Sequence, residues 1–203
     1  SAATAEVEKK LTAAGFQVLS LYTPKFLPTR GVVVATDAGM LDKIRSFGGS
    51  TIVAAPIRVG ITTDGVVAYA NPDYWDRAFL GKHFAQAETA VLSVQSRLAT
   101  ALGAGPGFGG NESAADLPDY NYIMGMEHFD DDKNLLATHA DFESAVHAVQ
   151  ENLAKGKSNV SKAYELVLPD SKLGVFGVAL NNRENGDAVI IGKIGVQDRG
   201  AGF

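Results

Sequence analysis

Residues 120–134, with the sequence YNYIMGMEHFDDDKN, combine side chains that can bind soft metal ions. In an extended strand, alternate residues point to the same side, so Met124, Met126 and His128 would share one face. Two thioethers and an imidazole are suitable ligands for copper. The simpler interpretation is that both methionines pack in a core and that the three aspartates form a solvated turn. We therefore predict a strand here, with a copper site as the alternative function.

An arginine interrupts the apolar stretch IVAAPIRVGI. If Arg58 lies on a solvent-exposed sheet face, strand alternation alone explains it. The functional interpretation is an anion contact, because a guanidinium group can bind a carboxylate or phosphate through two hydrogen bonds. The segment NPDYWDR, which begins a helix just after this strand and its hairpin, would supply the remaining wall of a small-ligand pocket. The predicted ligand-binding residues are Arg58, Asp73, Tyr74, Trp75 and Arg77.

An enzymatic interpretation would rest on Asp73, Asp76 and His83, which could form an acid–base pair. However, nothing in the sequence places a nucleophile beside them, and proton transfer needs hydrogen-bond reach. Tyr74 and Trp75 are equally suited to a homodimer contact. We expect a non-enzymatic small-ligand, anion-binding or assembly module, with the enzyme as a further alternative and the cofactor unknown.

The composition excludes several classes of function. The net charge is −5 with Lys and Arg scattered, so no cationic face is available to neutralise nucleic-acid phosphates. No apolar run reaches membrane-spanning length, so we expect a soluble chain. Cysteine is absent, which excludes disulfides, thiolate nucleophiles and cysteine metal sites. The first residues, SAATAEVEKK, are of the kind that signal-peptide cleavage leaves, so we expect an exported, periplasmic protein, with the cytoplasm as the alternative.

The first hundred residues alternate helical and strand patterns that would position the arginine and the NPDYWDR segment. Gly15 predicts the end of a first helix, and Asp37 and Asn71 are N-cap candidates for two more. Asp64-Gly65, between two β-rich runs, predicts a tight hairpin turn. A long amphipathic helix follows residue 83. This order is helix, two strands, helix, hairpin, then helices.

The Gly-rich segment 104–118 separates this unit from residues 119–203. The second part is predicted to contain the strand at 120–134, a helix preceded by a weak capping box of Thr138 and Asp141, and three further strands, VSKAYELVL, KLGVFGVAL and DAVIIGKIGV. Both halves therefore place a helix before strands. We predict an α+β fold with a largely antiparallel sheet packed with helices, in which residues 119–203 form either a second lobe or an extension of the sheet.

Three stretches of the first half carry a family resemblance: a helix ending in AAGFQVLS, the strand IVAAPIRVGI, and VVAYANPDYWDRAFL followed by a long helix. In this order residues 1 to about 103 resemble the DUF302 family of small bacterial and archaeal proteins, which has no assigned function. The resemblance implies a compact α+β fold that is often dimeric. It provides no catalytic residues to transfer to this chain.

Overall fold

The computed structural model describes residues 2–110, 112–121 and 126–197. The helices are α1 (Ala2–Ala13), α2 (Ala38–Phe47), α3 (Pro72–Leu80), α4 (Phe84–Leu102), α5 (Phe142–Ala154) and α6 (Asp187–Gln197). The strands are β1 (Gln17–Tyr22), β2 (Arg30–Thr36), β3 (Ile57–Thr62), β4 (Val67–Tyr69), β5 (Val160–Leu168) and β6 (Leu173–Leu180). Helices packed on antiparallel strands confirm the predicted α+β class.

Four strands form an antiparallel sheet in chain order, β1-β2-β3-β4. Val33 of β2 lies opposite Val59 of β3, so these two side chains share one face. The β3–β4 hairpin turns through Gly65, whose φ of +90° lies in a region that L side chains rarely adopt. The predicted Asp64-Gly65 turn is therefore confirmed.

Helices α1 and α4 cover the face of the sheet that carries Val33 and Val59. Leu11 of α1 and Leu98 of α4 are completely buried against it.

The predicted N-cap of α3 is confirmed. Asn71 accepts a hydrogen bond from Asp73 N at 3.1 Å, and Pro72 is the first residue of the helix. As a result, the start and the orientation of α3 are determined by its own sequence.

The opposite face of the sheet is covered by the hairpin of β5 and β6. Val34 of that face is completely buried, and Ser20, which pairs with it, donates a hydrogen bond to Ala163 O of β5 at 2.7 Å. Leu166 and Leu173 of the hairpin belong to the same buried cluster as the helices. The hairpin is a separate two-stranded sheet that packs on the first one, and β2 is buried on both faces.

The predicted strand DAVIIGKIGV is wrong, because these residues belong to helix α6. A short apolar run fits either a buried strand or a buried helix, so its pattern alone does not decide. The turn before this run favours the helix. Asp187 accepts a hydrogen bond from Leu180 N at 2.9 Å, and Gly186 O accepts one from Val189 N at 3.0 Å. The chain therefore leaves β6 through a tight turn that already has helical hydrogen bonding.

The strand predicted at residues 120–134 is also wrong for the part that the structure describes. Residues 126–131 form no regular element, and Asp132–Asn134 is a short 3₁₀ turn. Asp131 accepts a hydrogen bond from Lys133 N at 3.0 Å, and Asn134 Nδ2 donates to His128 O at 3.0 Å. Such local side-chain contacts to the backbone compete with strand pairing.

Replacing Gly186 by alanine should destabilise the protein by about 1–3 kcal/mol, because the new Cβ would lie 2.3 Å from Leu180 O and force the turn to move. Gly192→Ala is the matched control on α6. No heavy atom lies within 4 Å of its added Cβ, and replacing a helical glycine should stabilise by about 0.5–1 kcal/mol. Urea unfolding would measure both, and equal midpoints for the two variants would contradict this account of the turn.

Candidate functional site

A narrow cleft lies between α3 and the beginning of β3. Its apolar walls include Met40, Ala55, Pro56, Pro72, Trp75 and Phe79. Two ionisable residues, Arg58 and Asp76, line it as well. The cleft has a volume of ≈ 30 Å³, which leaves room for about one or two water molecules. It can therefore admit a small polar head group, whereas the body of a larger ligand would have to remain at its mouth.

The aromatic wall is built by the helical period of α3. Trp75 and Phe79 are four residues apart, and their rings stack with centroids 5.7 Å apart and an interplanar angle of 26°. Trp75 is 43% exposed although it borders the cleft. An exposed indole beside a partly closed cleft provides an apolar platform at the entrance.

Asp76 is a buried carboxyl group without a partner. Only 8% of the residue is exposed, and within the described residues no group donates a hydrogen bond to its carboxyl oxygens. Burial, and secondly the nearby charge of Asp73, raise the pKa of Asp76 to about 7. At neutral pH, Asp76 is therefore present in both the protonated and the ionised form.

Arg58 is half-buried on the sheet face that the β5–β6 hairpin covers. The pKa values of Tyr22 and Tyr164 are raised, mainly by burial. The positive charge of Arg58 acts on both phenols in the opposite direction and to a smaller extent. The ring of Tyr164 lies over Gly177, where an added Cβ would be 2.0 Å from a ring carbon. Across residues 2–110, 112–121 and 126–197, no carboxylate forms an ion pair with Arg58. Solvent exposure of this sheet face therefore does not explain the arginine, because the β5–β6 hairpin covers the face.

Three of the predicted ligand-binding residues lie outside the cleft lining. Arg77 forms an ion pair with Asp73 at 2.8 Å and packs over the ring of Phe84, 4.1 Å from its centroid. Tyr74 Oη accepts a hydrogen bond from Glu112 N at 3.2 Å. The structure therefore brings together only Arg58 and Trp75 of the five residues, and adds Asp76 and Phe79.

Sequence reasoning had one usable signal for the missed residues. Once α3 is capped at Asn71, Phe79 must share a face with Trp75 because the two are one turn apart. By contrast, Met40 reaches the cleft from α2, and no local pattern indicates that contact.

A segment of the second half closes one side of the aromatic wall. Phe129 contacts Phe79 edge-to-face, with centroids 5.7 Å apart. The neighbouring Asp130 accepts a hydrogen bond from Ser50 Oγ at 3.0 Å and one from His128 Nδ1. The hydrogen bond from His128 is the main reason that the pKa of Asp130 is lowered. Phe129 thus packs against a residue of the cleft wall, although residues 128–130 do not themselves line the cleft.

This placement changes the basis of the copper hypothesis. Met124 lies outside the described residues, Met126 is 50% exposed and in no strand, and the ring nitrogen of His128 contacts Asp130. No group of three or more His, Cys, Asp or Glu side chains in the described part of the chain could hold a metal ion. Copper binding through Met124, Met126 and His128 stays a prediction, without the shared strand face on which it depended.

The acid–base hypothesis finds no matching geometry. The imidazole of His83 stacks on Phe47, with centroids 4.7 Å apart, and Asp73 is paired with Arg77. None of the hydrogen bonds among the described residues joins His83 to Asp73 or Asp76. In this arrangement, His83 therefore forms no acid–base pair with Asp73 or with Asp76.

Comparison with protein-family models, with curated proteins and with solved structures finds no match to this chain. The resemblance of residues 1 to about 103 to the DUF302 family, the homodimer that it implies and the expected export therefore stay predictions. No helix in the described ranges is long and apolar enough to cross a membrane.

Proposed function

We propose that the protein is a binding module for a small organic carboxylate, whose head group enters the cleft and whose apolar body lies against Trp75. The observation that carries this proposal is Arg58, a half-buried arginine that lines the largely apolar cleft and has no carboxylate partner within the described residues. A cation withdrawn from water without a partner is costly, whereas a ligand carboxylate would provide one.

The shape of the cleft limits the kind of ligand. The small volume suits the two oxygens of a carboxylate, which can replace the water molecules that would otherwise solvate Arg58. A guanidinium group binds such oxygens through paired, charge-assisted hydrogen bonds. The exposed indole of Trp75, stacked on Phe79, would cover an aromatic or aliphatic body at the entrance. Affinity would come from the apolar wall, and selectivity from the arginine.

Binding can be followed at Trp75, because it is the only tryptophan in the chain. Benzoate should shift the single indole N–H resonance in a saturable way at neutral pH. Benzamide and benzylammonium, which have the same ring but a neutral or cationic head group, should bind more weakly. Arg58→Gln should weaken benzoate binding about 10- to 100-fold, the loss expected for hydrogen bonds to a charged group.

Arg45→Ala is the matched control. Arg45 is an exposed arginine on α2, paired with Asp42 and outside the cleft lining, so its loss should leave benzoate binding unchanged. Two results would overturn the proposal: the absence of any saturable shift with benzoate and with hexanoate, or equal affinities of the native protein and Arg58→Gln.

A further inference from the structure

The four-stranded sheet brings a phenol and a guanidinium group to the face that the β5–β6 hairpin covers. Tyr22 of β1 lies opposite Val32, and Arg58 of β3 lies opposite Val34. Both valines are buried, and they are two residues apart on β2, so they point to the same side. Directly opposed residues share a face, so Tyr22 and Arg58 both lie on the covered face, where each is half-buried.

The hairpin contributes a second phenol to the same space. Tyr164 of β5 points to the same side as Leu166, which belongs to the buried core, because the two are two residues apart. The preceding residue, Ala163, accepts the hydrogen bond from Ser20 Oγ of β1, so β5 lies against β1 at this position. Tyr164 is therefore directed into the space between the sheets, beside the strand that carries Tyr22.

The three groups are close enough to act on one another electrostatically, and none of them has a partner. The charge of Arg58 acts on both phenols, and Tyr164 acts on Tyr22. Across the described ranges, neither phenol hydroxyl and no guanidinium nitrogen of Arg58 forms a hydrogen bond or an ion pair. The Tyr164 ring is nevertheless held in place by Gly177, the residue opposite it in β6. Half-buried donors without an acceptor indicate a place for a ligand.

We propose that Tyr22 and Tyr164 complete the head-group site of Arg58, with both phenol hydroxyl groups donating hydrogen bonds to the carboxylate that the guanidinium binds. This inference rests on the proposed function and adds two specificity-determining residues to it. Arg58 is common to the cleft lining and to this cluster, so the head group is bound where the cleft meets the space between the sheets. The ligand is then held by donors from both sheets.

The chemistry of the cluster selects anions. A guanidinium group has only donors, and a carboxylate has two oxygens that together accept about four hydrogen bonds. Burial raises the pKa of both phenols, so at neutral pH they keep their protons and act as donors as well. The amide of benzamide offers one acceptor oxygen and two donors of its own, and benzylammonium brings a second positive charge. Both ligands are therefore excluded by the same three groups.

One acidic side chain acts against the bound anion. Asp187 is the only carboxylate, among the residues that the structure describes, whose charge acts on either phenol. It accepts a hydrogen bond from Leu180 N at 2.9 Å and forms no ion pair with Arg58. Asp187→Asn keeps an acceptor for Leu180 N and removes the repulsion, so it should strengthen benzoate binding about threefold.

The test removes the two hydroxyl groups one at a time and keeps the rings. Tyr22→Phe and Tyr164→Phe should each weaken benzoate binding about tenfold, read from the Trp75 indole resonance, because each loses a hydrogen bond to a charged group. Neither hydroxyl has a partner in the described part of the free protein, so the urea midpoints of both variants should equal the native midpoint.

Tyr69→Phe is the matched control. The Tyr69 hydroxyl donates a hydrogen bond to Gly103 O at 2.8 Å, and Tyr69 lies opposite Val59, on the face that the helices cover. This variant should lower the urea midpoint and leave the affinity for benzoate unchanged.

Carbon-13 labels at Cζ of the six tyrosines give a direct readout of contact. The Cζ resonances of Tyr22 and Tyr164 should shift with the same dissociation constant as the Trp75 indole, and that of Tyr69 should not shift. Native affinity in either of the two cluster variants, or Cζ resonances of Tyr22 and Tyr164 that stay unchanged at saturating benzoate, would overturn the inference.

The two proposals fail in different ways. If benzoate binding needs Arg58 but not the two hydroxyl groups, only the phenol contacts are refuted. If Arg58→Gln binds benzoate as tightly as the native protein does, the proposed function itself is refuted.

Discussion

Raising the pH from about 4 to about 7 should lower the free energy of unfolding by up to about 4 kcal/mol through Asp76 alone. The ordinary pKa of this carboxyl group is 3.8, as in an unfolded chain, and burial raises it to about 7 in the folded protein. Between these values the folded state holds a proton that the unfolded state has released. The stabilisation is therefore complete below pH 4 and is lost as the pH rises through 7.

Urea unfolding of the native protein and of Asp76→Asn at several pH values would isolate this contribution. Other acids act in the opposite direction, since hydrogen bonds lower the pKa of Asp130 and of Asp141, and only the difference between the two proteins reports on Asp76. We expect the asparagine variant to gain stability relative to the native protein between pH 4 and pH 7. Parallel stability curves across this range would contradict the buried, unpartnered state of the carboxyl group.

The second large effect is expected at Asp37, where truncation to alanine should cost about 3 kcal/mol. The Asp37 side chain is 8% exposed, accepts a hydrogen bond from Met40 N at 3.0 Å as the N-cap of α2, and forms an ion pair with Arg97 of α4. Arg97 also packs over the ring of Phe16, 4.6 Å from its centroid. Asp37→Ala would leave a helix N–H without its acceptor and would leave the partly buried guanidinium of Arg97 with only Ala14 O, at 3.3 Å.

Two further variants separate the cap from the ion pair. Asp37→Asn keeps a good N-cap and removes the charge, so it should cost less than Asp37→Ala. The exposed pair of Arg45 and Asp42 is the matched control, because its removal should cost less than about 1 kcal/mol. Urea unfolding would measure both losses of stability. Equal losses at the two pairs would show that burial of Asp37 does not strengthen its contribution to the free energy of unfolding.

Local signals in the sequence were sufficient for most of the first hundred residues. Gly15 ends α1 with a φ of +86°, Gly65 turns the hairpin, and Asn71 caps α3. Each of these residues acts through its own backbone or within four residues of it, so its effect is independent of the rest of the chain.

The errors occurred where the residue pattern is compatible with more than one structure. Residues 187–197 are apolar without a clear period, and a turn at Gly186 directs them into α6 instead of a strand. Residues 126–131 alternate like a strand, but the side chains of Asp131 and Asn134 bind the backbone locally. In both cases a few hydrogen bonds outweigh a weak preference for extension.

The sequence by itself predicted the α+β class and the position of α3 after the hairpin, and it indicated that Arg58 and Trp75 could line one pocket. Only the tertiary structure decided that Asp76 is buried without a partner and that Phe129 packs on Phe79 from the other half of the chain. The physical reason is that helix caps and turns depend on neighbouring residues, whereas burial and charge pairing depend on which distant segments cover a side chain. The difference between a solvated aspartate and a proton-holding one is therefore a property of the fold.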